Sequence, residues 1–427
     1  MHVKYVALLL FLLLLLPGRA SAARTLTLEQ ALAIAVDKNR DIAKAGEYAR
    51  YVNGRYVEER SAALPQLGLA ASVAARRDDG QPSFAGGGSN QYDNYLGVSL
   101  SQPLYTWGKI GAAIRAAEIG MSTAKEQLRL AQQAVRRDVT VAFYDVLLAR
   151  ELLKLSTENM KQKQRHSEEA LKKFEAGVAT DYDVLAAAVA LENARPAIIK
   201  GENLLRLARE RLRFLLAEED ELDAAGTLEP LLTKPPVYDA VLSSAFARRP
   251  EVVDLGYRIG VYAELVTIAA ADDKPRLDLK GGAGWHQLDM LGNRNDGPSW
   301  NIGVYLSFPF FDGMKTSGRV IQARSDLASK EIEKLKLLDN IRLEARTSLS
   351  NLQEAAETLT AVSGTVRQAE RLLQMAEKGY EYGVKISLEV DDAQTNLLQA
   401  ETNRIKAAND YLVALVNLEW VMGRLGE

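Results

Sequence analysis

The sequence predicts an α+β chain of long coiled-coil helices and four membrane-type β-strands, built as one unit written twice. Three observations carry this: an internal repeat, a long helical seam of small apolar residues, and segments of strictly alternating polarity. The repeat can be read by eye. Leu64-Pro65-Gln66-Leu67 matches Lys274-Pro275-Arg276-Leu277 at an offset of 210. Ser101-Gln102-Pro103 matches Ser307-Phe308-Pro309, Gly177-Val178 matches Gly383-Val384, and Leu212 and Phe214 match Leu418 and Trp420, all at 206. The four lost residues fall between the two β segments of a half, where a loop absorbs them. The first repeat is thus expected over 23–217 and the second over 238–427. The stretch 218–237, acidic and then proline-rich, joins them.

The N-terminus has a different character. His2 and Lys4 precede an apolar run from Val6 to Leu16, which Pro17 and Gly18 break before the small residues Ala20-Ser21-Ala22. Eleven apolar residues make about 16 Å of helix, too short for a hydrocarbon core of about 30 Å. Residues 1–22 therefore read as an export signal cut after Ala22. Cleavage removes Lys4 and Arg19 and leaves the mature chain more negative than the formal −3 of the whole. No later stretch is apolar enough for a transmembrane helix.

Each half opens with a helix, at about 27–62 in the first. Thr27 and Gln30 form a capping box in front of it. Two strands follow, then a very long helix from about 108 to 175, a turn, and a last helix over about 181–217. The seam of the long helix is Ile114, Ala117, Met121, Ala124, Leu128, Ala131, Val135, Val139, Ala142 and Val146. Its steps of three and four are the period of a coiled coil, and its alanines let helices approach closely. The long helix measures about 100 Å, the summed length of the two shorter ones. One long helix is therefore expected to lie beside two short helices stacked end to end.

The strands alternate. Trp300, Ile302, Val304, Leu306 and Phe308 share one face, as do Leu96, Val98 and Leu100. Leu67, Leu69, Ala71 and Val73 form a third such series, and Leu277, Leu279, Ala283 and Trp285 a fourth. Apolar residues alternating with small or polar ones over nine to eleven positions suit a membrane barrel with its apolar side to lipid; a soluble sheet on a core fits the alternation equally. The polar, glycine-rich stretches 77–91 and 287–299 read as exposed loops. Four strands cannot close a barrel, and lipid does not tolerate open edges. If these strands span a membrane, several copies must share one barrel of eight, twelve or more strands.

At this point the chain resembles the TolC family of outer-membrane efflux and secretion proteins over nearly the whole mature sequence. The resemblance rests on Leu26-Thr27-Leu28-Glu29-Gln30-Ala31-Leu32, Leu64-Pro65, Ser101-Gln102-Pro103-Leu104-Tyr105 with Gly108, Gly177-Val178, Gly383-Val384 and the duplication. It implies a homotrimer with a 12-stranded barrel in the outer membrane and an α-helical tunnel through the periplasm. It also implies a periplasmic adaptor (membrane fusion) protein docked at the far end and an inner-membrane pump behind it. Cargo would be conducted passively, for efflux or type I secretion. Some members are lipoproteins; a chain without cysteine is not.

The turns at 176–183 and 382–389 are the expected periplasmic tips. Gly177 and Gly383 suit helix ends that need positive φ, and Thr180 and Asp183 suit a capping box. The resemblance implies that Gly177, Val178, Ala179 and Thr180, with Gly383, Val384, Lys385 and Ile386, meet the adaptor. Glu389 and Asp392 match the family's acidic pair at the entrance, with Glu in place of the usual Asp. With Asp391 they lie just past the second tip, and in a trimer each of the three would form a ring of three carboxylates, favouring cations if they face the lumen. Acids near a helix N-terminus also satisfy its dipole. Tyr380 and Lys385 match positions that tie the closed entrance, with Lys for the more typical Arg and so without a bidentate link.

Other functions find little support. The net charge of −3 argues against nucleic acid as a partner. The lack of cysteine removes disulfides, thiolate–zinc sites and thiol catalysis. His166 lies on the long helix and His286 at a strand end, with no nucleophile, metal or phosphate motif around them, so neither an enzyme nor a cofactor is expected. The alternative is a periplasmic coiled-coil scaffold without a barrel.

Overall fold

The computed structural model describes residues 24–78, 89–290 and 293–426. The expected export signal (1–22), residues 79–88 of the first expected loop and residues 291–292 lie outside the described residues. The elements run β1 (Arg24–Leu26), α1 (Leu28–Lys38), α2 (Arg40–Ser61), β2 (Gln66–Asp78), β3 (Ser89–Tyr105), α3 (Lys109–Glu175) and α4 (Asp181–Leu216). Then come β4 (Leu222–Ala224), α5 (Tyr238–Arg248), α6 (Pro250–Ala270), β5 (Arg276–Met290), β6 (Asn293–Ser307), α7 (Lys315–Glu381) and α8 (Ser387–Val421). The order helix, helix, strand, strand, 67-residue helix, helix thus occurs twice.

Two compact units cut across the repeats. One holds residues 1–43, 131–245 and 341–427; the other holds 44–130 and 246–340. The second unit contains an antiparallel sheet of order β2-β3-β5-β6. Its register aligns the predicted apolar residues in rows. Leu67 faces Leu100, which faces Gly281, which faces Ile302; Leu69, Val98, Ala283 and Trp300 form the next row. Leu279 faces Val304 and Leu277 faces Leu306, so the predicted strand residues share one face. Phe308 lies just past the end of β6. That face is bare: Leu69 is 77% and Trp300 78% exposed. From Pro298 to Phe308 the apolar series covers about 34 Å of strand, or about 25 Å in height at a barrel tilt of 35–45°. The outer edges of β2 and β6 have no partner strand among the described residues.

In the same unit, α2 and α6 pack beside the start of α3. A Cβ added at Gly120 would meet Val52, and one at Gly260 would meet Ile119. Asp272, after α6, accepts from Lys109 at the head of α3 (2.5 Å) and Arg319 at the head of α7 (2.7 Å), fixing both strand-to-helix junctions.

In the first unit the coiled-coil logic continues. The buried residues of α7 include Ala345, Leu352, Leu359, Val366 and Leu373, each seven after the last, with Ala369 between the last two and Ala376 just beyond. They pack on Val390, Ala393, Ala400, Ala407, Ala408 and Tyr411 of α8. Gly201 of α4 lies so close to Leu153 of α3 that a Cβ would stand 3.1 Å from its Cδ1.

Two expectations need correction. The single helix at 27–62 is two helices, broken at Asn39, whose side chain accepts from Asp41 N (2.8 Å) and donates to Leu215 O (2.8 Å). The second repeat breaks at the equivalent Arg249, ahead of Pro250, which takes the first helical position. The expected loop 287–299 is mostly strand, since β5 runs to Met290 and β6 starts at Asn293. Polar side chains there do not end the pairing, because backbone groups carry the ladder. Within the stretch 218–237, β4 pairs in parallel with β1, so the two ends of the first repeat meet.

Candidate functional site

The first tip is the turn from α3 to α4. Gly177 has φ +75°. Its N–H donates to Phe174 O (2.9 Å) and Val178 N–H to Lys173 O (2.9 Å), the paired bonds of a Schellman motif. Thr180 then caps α4. Thr180 N–H donates to Asp183 Oδ2 (2.9 Å) and Asp183 N–H to Thr180 Oγ1 (3.3 Å). Hydrogen bonds from the Thr180 backbone and hydroxyl hold the Asp183 carboxyl below its ordinary pKa. Val178 and Tyr182 are exposed.

The second tip repeats the motif. Gly383 has φ +72°, its N–H donates to Tyr380 O (3.2 Å), and Val384 N–H donates to Gly379 O (2.8 Å). The cap differs, because Ile386 offers no side-chain acceptor. Glu389 accepts from Ile386 N–H (3.2 Å) and is also bonded to Lys385. The lysine, then the backbone donor, keep the Glu389 carboxyl low. The stem of Lys385 lies on α7, where a Cβ at Gly379 would stand 2.8 Å from its Cγ. Val384 and Ile386 are exposed.

These turns depend on their glycines and caps. Gly177→Ala and Gly383→Ala should each cost about 1–2 kcal/mol, since an L side chain at positive φ is strained. Asp183→Ala should cost about 1 kcal/mol through loss of the cap. Amide exchange in the first turn of α4 should quicken in Asp183→Ala and stay unchanged in Gly383→Ala.

Of the expected gate residues, the structure joins Lys385 to Glu389 within one tip and leaves Asp392 exposed. Tyr380 reaches α3: Lys173 Nζ stands 3.6 Å from its ring centroid, and the His166 ring lies at 5.8 Å. Sequence reasoning missed the rest of this contact. Lys163 on α3 is bonded to Asp391 on α8, and His166 Nε2 lies 2.9 Å from Ser387 Oγ. A signal was available. Continuing the α3 seam from Val146 by threes and fours gives Ala149, Leu153, Ser156, Met160 and Lys163, and a lysine on a buried seam requires a partner. Burial pushes the His166 pKa down; Glu169 and Asp391 oppose this, and Lys163 and Lys173 add to it. Beside these groups lies a cleft of about 640 Å³, lined also by Glu377, Glu381 and Gln394. His286 bonds Asp93 on the sheet, its Nε2 2.8 Å from Oδ1.

No helix among the described residues is long and apolar enough to cross a membrane. The sheet, with its exposed apolar face, is the part suited to lipid. The family profile described as outer membrane efflux protein matches residues 31–218 and again 241–424. The chain belongs to the outer membrane efflux protein family. It is similar to the cobalt-zinc-cadmium resistance protein CzcC of Cupriavidus metallidurans, with 27% identity over 411 residues, 94% of this chain and 91% of that one. It is also similar to the outer membrane protein TolC of Vibrio cholerae, with 24% identity, covering 86% and 84% of the two chains. Its fold matches the outer membrane channel CmeC of Campylobacter jejuni with a TM-score of 0.84 at 18% identity, covering 93% and 85%. As an outer membrane efflux protein the chain is an exit duct, placed in the outer membrane with a periplasmic extension. The family is one of channels and not of enzymes.

Proposed function

We propose that three copies close one 12-stranded barrel and one helical duct, and that the duct serves an inner-membrane pump through a periplasmic adaptor. The observation that carries this is the four-stranded sheet, bare and apolar on one face and unpaired at both edges. Lipid suits the face and forbids the edges, so other copies must supply the missing strands. Within the duct the repeats 23–217 and 238–427 act as two similar staves, joined by 218–237. Conduction is passive, and the pump supplies both energy and cargo choice. The scaffold alternative leaves the exposed rows of the sheet without a role.

The tips are the proposed docking points. Gly177, Val178, Ala179 and Thr180 offer one turn to the adaptor, and Gly383, Val384, Lys385 and Ile386 the other. Tyr380 and Lys385 hold the closed entrance. Asp392, exposed, carries most of the acidic ring, because Glu389 is engaged by Lys385. The absence of cysteine makes a clean test possible. Val178→Cys, labelled in intact cells with a thiol-to-amine crosslinker, should capture a periplasmic adaptor protein identifiable by mass spectrometry. A reactive cysteine that captures none would reject the docking assignment.

A further inference from the structure

We infer that His166 is an acid-sensitive rung in a polar ladder that fastens α3 to the α7–α8 hairpin, so that the entrance loosens as the periplasm acidifies. The inference rests on the duct reading and concerns how its entrance is regulated.

The ladder has three rungs on α3. Lys163 is bonded to Asp391 of α8, His166 to Ser387 of α8, and Lys173 covers the Tyr380 ring of α7. Its middle rung is buried, with His166 only 8% exposed. The charged and titratable groups facing it lie on three elements. On α3 they are Lys163, Arg165, Glu169 and Lys173; on α7, Glu377, Lys378, Tyr380 and Glu381; on α8, Asp391. The hydrogen-bond partner of His166 is a hydroxyl, Ser387 Oγ, which gives no special hold on a cationic ring. Asp391 is already engaged by Lys163. In the neutral state the imidazole and hydroxyl satisfy each other. A proton on His166 would place a buried cation there; its loss of hydration, with the repulsion of Lys163 and Lys173, outweighs the attraction of Glu169 and Asp391.

The direction follows from linkage. Packing lowers the affinity of His166 for a proton, and separation of the helices returns the ring to water. The parted state therefore binds protons more readily than the packed one. The packed state has its full stability above the ordinary imidazole range near pH 6.5 and loses it as pH falls below. Free carboxylates ordinarily titrate well below this window. The periplasm exchanges protons with the medium, so the rung would report external acidity.

The test is conductance of the purified, reconstituted protein in planar bilayers between pH 7.5 and 5.5. Wild type should show a several-fold, reversible rise in conductance on acidification. His166→Gln keeps a polar group opposite Ser387 but cannot take a proton, and should be flat. His286→Asn, on the sheet, should behave as wild type. A flat wild-type profile, or a rise that survives in His166→Gln, overturns the ladder as the sensor. Absence of channels at any pH would instead overturn the duct reading. Should His166→Gln fail to fold, imidazole C2 deuterium exchange on the wild type replaces it. There His166 should titrate below the ordinary imidazole range, and titration within that range would overturn the inference.

Discussion

Asp391→Ala is expected to unfasten α3 from α8 more than any other single truncation near the entrance. The side chain of Lys163, its partner, is 8% exposed, whereas that of Asp391 is 33% exposed. Removing the carboxylate strands a cation in a cleft lined by Leu185, Val189 and Leu398 and by the neutral polar Asn159, Asn193 and Thr395, none of which carries a countercharge. A buried charge left without its partner costs about 3–5 kcal/mol; the partial exposure of Asp391 reduces this to about 2–4 kcal/mol. Lys163→Met should be milder, because the stranded carboxylate can turn to water. The double variant Lys163→Met, Asp391→Leu should recover most of the loss, since an apolar pair of similar volume substitutes well for a buried ion pair. Amide exchange in α3 around residue 163 and α8 around residue 391 measures each variant. Equal effects of the two single variants would mean that the pair is screened by solvent and holds little.

The unevenness of that pair also shows what the sequence could disclose. Alternation identified the apolar face that all four strands share, because a strand has a fixed period of two. Positive φ at both tips was visible as Gly177 and Gly383. The break at Asn39 was hidden, since asparagine inside a helical run leaves no periodic trace. Its repeat partner was not hidden: Pro250 stands 210 residues beyond Arg40 and marks the same break. The three-residue strands β1 and β4 are too short for any period to register. The Lys163–Asp391 pair joins residues 228 apart, and only the packing of α3 on α8 brings them together. The register was likewise a tertiary result. It set Val98 beside Leu69 and Ala283 and so turned separate alternations into one continuous apolar surface.

That surface supports the second large prediction, a contrast between adjacent residues of β3. Val98 sits mid-row between Leu69 and Ala283 on the bare apolar face. Ser99 points the other way, its hydroxyl donating to Gly68 O at 3.4 Å. Val98→Arg would place a guanidinium near the bilayer midplane, at a cost of about 2–4 kcal/mol in each copy. Three copies sharing one barrel would bear that cost together, and heat-resistant oligomer in the outer-membrane fraction should be largely lost. Ser99→Arg adds the same charge one residue away but directs it to the polar face. Oligomer yield should then stay near wild type, with the effect confined to ion selectivity. The comparison holds side-chain size, charge and strand position nearly constant and varies only the face. Equal losses in the two variants would show that arginine harms the strand itself and would remove the support for a lipid-facing side. A loss confined to Val98→Arg leaves lipid as the environment of that face, since water would accept the charge on either side.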